Sequence, residues 1–278
     1  MQLTAERQAA DTIRARLNYI VDTGVPPVRY VDWPEMADKE VPPQYELHEM
    51  AIRNGRPIRD TFKLDTHGFA FVDHFTQVKD FTDEAERKRV YDPEAASLIK
   101  QYSGASEVLV FDHTIRVGDE QTRNATGARP PVKGVHNDYT ENSAPRRVRD
   151  ILGDAEAEKR FRKRYAIIQI WRPIRGAVMI DPLAICDGRT IPQQGFILLQ
   201  RRYQHRTAEV YHIAYNPAHV WFYFPQMTRN EALVFKVFDS DASKPTRFTA
   251  HTAFDDPNTP PNAPPRESIE TRTFAFFD

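Results

Sequence analysis

Residues 165–174, with the sequence YAIIQIWRPI, carry the prediction of the fold. Such a short run of β-branched and aromatic residues is typical of a buried strand. Turn residues separate the later runs of this kind, and no helical patterns alternate with them. We therefore predict a mainly β fold with flanking helices, built as a sandwich, jelly roll or barrel. The later runs are QGFILLQRRY, EVYHIAY, HVWFYFP, EALVFKVFDS, TRFTAHTAF and ESIETRTFAFF.

The chain before Tyr165 is more mixed. Residues 1–22 place Ala5, Ala9, Ile13, Leu17 and Ile20 at helical spacing, which predicts a helix. Residues 23–66 are rich in proline and charge and predict extended chain and turns. The remaining segments predict, in order, a strand over 68–76, a helix over 81–104 with a break near Pro93, a strand over 106–118, a polar loop over 119–130 and a helix over 144–163.

This pattern divides the chain into two parts. We expect residues 1–67 to form a helical and extended N-terminal region that serves as a lid or a dimer surface. Residues 68–278 are expected to form the β domain. A homodimer is therefore one expected assembly.

The composition excludes several classes of partner. The 38 lysines and arginines nearly balance the 39 acidic residues, so no basic field favours nucleic acid or an anionic membrane. No apolar run approaches the roughly 20 residues that a membrane-spanning helix needs. The single cysteine, Cys186, fits a reducing compartment. The expectation is a cytoplasmic protein that does not bind nucleic acid or a membrane.

The stretch GVHNDYTENS, residues 134–143, places His136 and Asp138 two positions apart after a predicted strand. On a strand, side chains two apart point to the same face. An imidazole and a carboxylate directed at one point are two of the three ligands of a facial Fe(II) site. The pair alone is also compatible with a polar turn in which Asn137 and Asp138 cap the next helix.

A third ligand has four downstream candidates. His205 is surrounded by arginines and His219 follows a turn, whereas His212 lies in a predicted strand. His251 comes after the strand EALVFKVFDS and before PPRESIETRTFAFF. That last segment places arginines and a serine on one strand face, and an arginine fork binds a carboxylate through two hydrogen bonds. The residues on this face are Arg266, Ser268, Glu270 and Arg272.

The ordered set of H-x-D, many short strands, histidine and R-x-S resembles the 2-oxoglutarate/Fe(II)-dependent oxygenase superfamily, whose fold is a double-stranded β-helix or jelly roll. Within it, GVHNDYT, IIQIWRPI, WFYFPQM, EALVFKVFDS and HTAFDDPNTPPNAPPRESIETR are similar to fungal and bacterial oxidoreductases related to gibberellin desaturase and to a cephamycin methoxylation component. The resemblance covers about residues 68–278 and is strongest over 131–278.

The resemblance implies an Fe(II) site of His136, Asp138 and His251, with 2-oxoglutarate as co-substrate and dioxygen as oxidant. It implies Arg266 and Ser268 as the clamp for the far carboxylate of 2-oxoglutarate. Arg266 lies 15 positions after His251, which leaves Arg272 as an alternative anchor. The implied reaction is oxidation of a C–H bond of a specialised-metabolite-like substrate by hydroxylation, desaturation or ring formation.

Three residues are weaker candidates for contacting the substrate. Trp171 shares a strand face with Gln169, Arg172 points to the other face, and Trp221 lies in the run HVWFYFP. Core packing is the more common role of such aromatic residues, and Arg172 could bind an acidic substrate or pair with Asp181. Three other functions also stay open at this stage: an iron oxygenase that does not use 2-oxoglutarate, a zinc or manganese hydrolase with the same ligands, and a non-enzymatic jelly-roll binding protein.

Overall fold

The computed structural model describes residues 11–278 and contains two β-sheets. The larger has nine strands in the order β1-β3-β11-β8-β13-β6-β10-β9-β2, and the smaller has five in the order β4-β12-β7-β14-β5. All pairings are antiparallel except β11 with β3 and β2 with β9. The strands are β1 (Thr12–Ile20), β2 (Val28–Tyr30), β3 (Tyr45–Asn54), β4 (Phe69–Asp73), β5 (Glu107–Val117), β6 (His136–Asn137), β7 (Tyr165–Arg175), β8 (Leu183–Cys186), β9 (Phe196–Arg202), β10 (Thr207–Ile213), β11 (Trp221–Tyr223), β12 (Glu231–Asp239), β13 (His251–Ala253) and β14 (Glu267–Phe276).

The helices lie outside the sheets and are short. They are α1 (Glu84–Glu86), α2 (Asp92–Ser103), α3 (Glu120–Thr126), α4 (Ser143–Leu152) and α5 (Asp154–Arg160), and a π-helical turn, Arg87–Tyr91, joins α1 to α2. The break predicted near Pro93 corresponds to this π-helical turn, which ends two residues before Pro93. Gly153, at a positive φ of 76°, splits the helix predicted over 144–163. The mainly β prediction with flanking helices is confirmed.

Strand β7 explains how the sheets pack. Ile167 and Trp171 point into a core shared by both sheets, together with residues such as Phe235 of β12 and Phe222 of β11. The alternate residues Ala166, Ile168 and Ile170 pack with α2 on the outer face of the small sheet. Because both faces are covered, the whole strand up to Ile174 is buried, which accounts for its largely apolar sequence.

The predicted N-terminal helix is wrong for the part that the structure describes. Residues 12–20, TIRARLNYI, form β1, paired with β3, and residues 1–10 lie outside the described range. Buried Ile13, Ala15 and Leu17 alternate with exposed Arg14 and Arg16, so the period of this segment is two residues. The four-residue spacing of Ala5, Ala9, Ile13 and Leu17 is compatible with this alternation and misled the prediction.

Other differences are local. The predicted polar loop 119–130 contains α3, whose first turn is capped by the Asp119 side chain. The extended region 23–66 contributes β2 and β3 to the large sheet. β6 and β8 are too short to be recognised from the sequence pattern. No helix within residues 11–278 has both the length and the apolar character needed to cross a membrane.

Candidate functional site

Three side chains from two neighbouring strands meet in the large sheet. His136 lies on β6, Asp138 follows β6 directly, and His251 lies on β13 opposite His136 in the antiparallel register. One ligand atom from each residue lies within 4.8 Å of the others. The ring centroids of His136 and His251 are 4.3 Å apart. Strand pairing thus brings together residues that are far apart in sequence.

Hydrogen bonds orient two of these side chains. Nδ1 of His136 lies 2.7 Å from the carbonyl oxygen of Gly134, so Nε2 is the nitrogen directed toward Asp138 Oδ1, at 3.3 Å. Oδ2 of Asp138 accepts hydrogen bonds from Gln169 Nε2 and Arg272 Nη2, both at 2.7 Å. The carboxylate therefore has one satisfied oxygen and one directed at His136.

The charges of the group suit a cation. Burial alone would raise the pKa of Asp138, but Arg272 and His136 hold it well below its usual range. Burial, helped by the charge of His136, lowers the pKa of His251 to about 3, so its imidazole is neutral at neutral pH. Neutral imidazoles and an ionised carboxylate are the forms that bind transition metals.

The other downstream histidines are placed differently. His212 on β10 also faces His136, with ring centroids 6.0 Å apart, but its Nδ1 lies 3.3 Å from the hydroxyl oxygen of Tyr45. His219 is buried beside Tyr19, with 3.2 Å between its Nδ1 and the hydroxyl oxygen. His205 is exposed. Within residues 11–278, only His251 joins His136 and Asp138 in a cluster of metal-ligating atoms.

Arg266 and Ser268 are buried and keep unused donors. Arg266 donates from Nη1 to the Asp181 carbonyl oxygen, and its guanidinium carbon lies 5.4 Å from the Trp171 ring centroid. Among the described residues no partner is found for Arg266 Nε, Ser268 Oγ or Trp171 Nε1. Burial lowers the pKa of Arg266 to about 10, although the carboxylates of Glu270 and Asp181 act in the opposite direction. Unpaired buried donors are costly, so this group fits an anionic ligand.

Arg272 has a different environment. It donates to the carboxylates of Asp138, Asp112 and Glu270 and to the Thr114 hydroxyl, at 2.7–3.1 Å. Burial lowers its pKa, but these carboxylates outweigh burial and raise it. Its donors are committed to side chains of the protein, which leaves Arg266 as the better anchor for a bound carboxylate.

A large cavity opens onto His136 and Asp138. Its volume is about 1340 Å³, larger than most small-molecule sites. The lining combines apolar side chains such as Ile115, Val132 and Val210 with many arginines. His251, Arg266 and Ser268 are buried and do not line it.

The three predicted substrate residues lie away from this cavity. Trp171 is buried beneath Arg266. Arg172, on the opposite face of β7, donates to the carbonyl oxygens of His74 and Arg229. Trp221 is fully buried and donates from Nε1 to the Tyr19 hydroxyl at 2.7 Å. The structure brings none of the three to the cavity wall.

Sequence reasoning gave no role to Glu270 and Arg116. The Glu270 carboxylate pairs with the Arg116 guanidinium and also accepts from Arg272 at 3.1 Å. The signal was present, because Glu270 shares a strand face with Ser268 and Arg272. What the sequence could not give is the pairing of β14 with β5, which places Arg116 opposite Ser268.

The chain matches known proteins along most of its length. Residues 17–276 match the family described as oxidoreductase/YMDC permease-like domain. A hydroxylase/desaturase of Cercospora beticola is 34% identical over 256 residues, covering 84% of this chain and 78% of that protein. An Fe(II)/2-oxoglutarate-dependent dioxygenase of Aspergillus novofumigatus is 30% identical over 236 residues, covering 82% and 83%. This chain belongs to the Fe(II)/2-oxoglutarate-dependent oxygenases.

The fold of this oxygenase has a close match among solved structures. The iron and alpha-ketoglutarate-dependent endoperoxidase NvfI superposes with a TM-score of 0.87 at 26% identity, over 96% of this chain and 98% of that one. The match confirms the jelly-roll prediction. It also extends over the N-terminal strands that the sequence pattern had assigned to a helix and a wrapping segment.

Proposed function

We propose that this oxygenase holds Fe(II) with His136, Asp138 and His251 and binds the far carboxylate of 2-oxoglutarate with Arg266 and Ser268. The oxidised substrate is a small molecule of the specialised-metabolite type, bound in the cavity beside His136 and Asp138. The observation that carries the proposal is the convergence of two imidazoles and one carboxylate within 4.8 Å. This donor set suits non-haem Fe(II) and leaves coordination positions open.

The chain's own residues prepare each part of this site. The Gly134 carbonyl fixes the His136 ring so that Nε2 is the free donor atom. Gln169 and Arg272 occupy Asp138 Oδ2, so Oδ1 is the oxygen available to a metal. The unpaired Arg266 Nε and Ser268 Oγ can donate to a carboxylate. With iron and 2-oxoglutarate bound, dioxygen oxidises a substrate C–H bond while 2-oxoglutarate is decarboxylated to succinate.

The named relatives favour this class of reaction over the alternatives left open by the sequence. They include a hydroxylase/desaturase, 2-oxoglutarate-dependent dioxygenases and an endoperoxidase structure. Those names support an enzyme that uses 2-oxoglutarate rather than a metal hydrolase or a binding protein. Hydroxylation, desaturation and ring formation all stay within the proposal.

The proposal is tested by anaerobic titration of the metal-free protein with Fe(II) and then 2-oxoglutarate, followed by visible absorption. We expect a weak charge-transfer band that requires both additions. His251→Ala should abolish it, whereas His212→Ala should retain it, because His212 is a similarly buried histidine outside the cluster. A band that survives in His251→Ala, or an iron-loaded wild type that shows none, would contradict the proposal.

Cellular location and assembly belong to the same proposal. The buried, unpaired thiol of Cys186 supports a reducing cytoplasm. The proposed role of residues 1–67 as a lid or dimer surface is supported by Tyr45, a half-exposed residue of β3 whose hydroxyl contacts His212 at the cavity. Measurement of the molar mass in solution tests the dimer.

A further inference from the structure

The walls of the cavity carry a strong excess of positive charge. Nine arginines line it, against five acidic residues. The chain as a whole has a formal net charge of −1, so this excess is local. The arginines are Arg87, Arg116, Arg129, Arg146, Arg147, Arg175, Arg201, Arg206 and Arg272.

Only three of the nine arginines are neutralised by a carboxylate. These pairs are Arg116 with Glu270, Arg175 with Glu267, and Arg272 with Asp138. Among residues 11–278, the other six have no carboxylate partner. Arg147 stacks over Phe111 at 5.4 Å, and Arg146 donates to the Thr207 carbonyl oxygen at 2.8 Å. These contacts position the guanidinium groups without cancelling their charge.

Four of the five acidic residues of the cavity are held by other groups, Glu267 by Arg175 among them, and the fifth, Asp150, is exposed and forms no ion pair within residues 11–278. Asp112 and Asp138 are held by Arg272. Glu209 is buried and accepts hydrogen bonds from Thr140 and Gln200 rather than from an arginine. The protein therefore supplies few anions to the free arginines, although carboxylates line the same cavity.

The unpaired arginines come from separate segments that surround the candidate metal ligands. Arg147 lies on α4, which begins five residues after Asp138, and its guanidinium group stacks over Phe111 of β5. Arg201 lies on β9, which pairs with β10, the strand next to β6 and His136. A concave surface lined by one sign of charge concentrates the field and attracts ligands of opposite charge.

We propose that the substrate of this oxygenase is an anionic small molecule, with an acidic group held by arginines of the cavity wall, foremost Arg147 and Arg201, and an apolar body. This inference rests on the proposed function, because it assigns the cavity to the substrate. The acid is a carboxylate or a phosphate, since both bind guanidinium groups. The apolar lining, which includes Ile115, Val132 and Val210, receives the remainder of the molecule.

The test compares two fluorescent probes that differ in charge, 8-anilinonaphthalene-1-sulfonate and the neutral N-phenyl-1-naphthylamine. Each is titrated into the full chain loaded with Fe(II) and 2-oxoglutarate without oxygen. The double variant Arg147→Gln/Arg201→Gln should weaken binding of the anionic probe about fivefold or more and leave the neutral probe nearly unchanged. Arg162→Gln is the matched control, because Arg162 is exposed and does not line the cavity.

Competing ligands that displace the anionic probe identify which acidic group the cavity prefers. Stronger displacement by 1-naphthoate assigns a carboxylate, and stronger displacement by 1-naphthyl phosphate assigns a phosphate. Equal displacement by the neutral 1-naphthalenemethanol would overturn the proposal. An unchanged ratio of the two probe affinities in the double variant, or an equal change in Arg162→Gln, would also overturn it.

The two proposals fail separately. The charge-transfer band reports iron and 2-oxoglutarate, whereas the probe ratio reports the cavity wall. A double variant that keeps the band and the melting temperature of the wild type is folded and loaded. Its probe ratio then decides the substrate class alone.

Discussion

Arg266 and Arg272 share one face of the same strand region, yet their surroundings are opposite. Arg272 is surrounded by the carboxylates of Asp138, Asp112 and Glu270. Arg266 is more deeply buried and contacts a backbone carbonyl and the face of Trp171, with its Nε unpaired. Because its donors are all used, Arg272 stabilises the folded protein and orients Asp138, a proposed metal ligand. Arg266 keeps an unused donor and is therefore available to a bound molecule.

The largest expected effect concerns stability. Arg272→Ala leaves the largely buried Asp138 carboxylate without its arginine partner, so the free energy of unfolding should fall by about 3 kcal/mol. Arg266→Ala should cost much less, because no carboxylate loses its partner. Chemical denaturation of the metal-free proteins measures both. Equal losses in the two variants would contradict the different roles of the two arginines.

The affinity for 2-oxoglutarate should show the reverse order, with a larger effect at Arg266 than at Arg272. Arg266→Ala should raise the Kd of 2-oxoglutarate about 100-fold, because a buried charge-assisted pair is lost. Arg266→Lys keeps the charge without the fork and should raise it about tenfold. Anaerobic titration followed by the charge-transfer band measures the Kd. Iron affinity that falls together with 2-oxoglutarate affinity would assign Arg266 to the metal site instead.

The pH dependence of the free energy of unfolding should come from Glu270, one of the carboxylates that surround Arg272. Burial raises the pKa of Glu270, but Arg116 and Arg272 outweigh burial and hold the pKa below its ordinary value of 4.5. A carboxyl group with a lowered pKa stabilises the folded state above its unfolded pKa, and this contribution is lost as the pH falls through the folded pKa.

Glu270→Gln should therefore flatten the loss of unfolding free energy below about pH 4.5. Arg266→Ala should keep the slope of the wild type. Denaturation curves measured across the acidic range compare the slopes. A wild-type slope in Glu270→Gln would show that Glu270 does not titrate differently in the folded and unfolded states.

The smallest expected effect belongs to Ser268. Its unpaired Oγ offers one hydrogen bond to a bound carboxylate, so Ser268→Ala should raise the Kd of 2-oxoglutarate about fivefold without changing stability. Thr273 on the same strand is the control, since its hydroxyl donates to the Ile168 carbonyl oxygen at 2.8 Å. Thr273→Val should lower stability by about 1 kcal/mol and leave the Kd unchanged.

The sequence predicts the fold well for strands that are buried on both faces. YAIIQIWRPI and EALVFKVFDS are largely apolar runs because their strands are buried on both faces. It fails for residues 12–20, where alternation with Arg14 and Arg16 was masked by a four-residue spacing that begins outside the described residues. It also fails for β6, because two residues contain no periodicity.

The candidate site is predicted only in part for a related reason. His212 and His251 both pair with His136 in register, and the residues alone do not separate them. The choice between Arg266 and Arg272 depends on carboxylates supplied by β5 and by the segment after β6. Such partners follow from the order of strands in space, which is a property of the assembled sheets.

The position of β14 also bears on how the chain folds. This strand lies between β7 and β5, and both precede it in the chain. Until β14 inserts, one edge of the buried strand β7 and one edge of β5 are unpaired, and unpaired strand edges are templates for aggregation. The same insertion brings in Ser268 and Arg272. Pairing of these edges and assembly of the proposed site therefore depend on one long-range step, so slower folding, more aggregation and lower activity are expected to occur together.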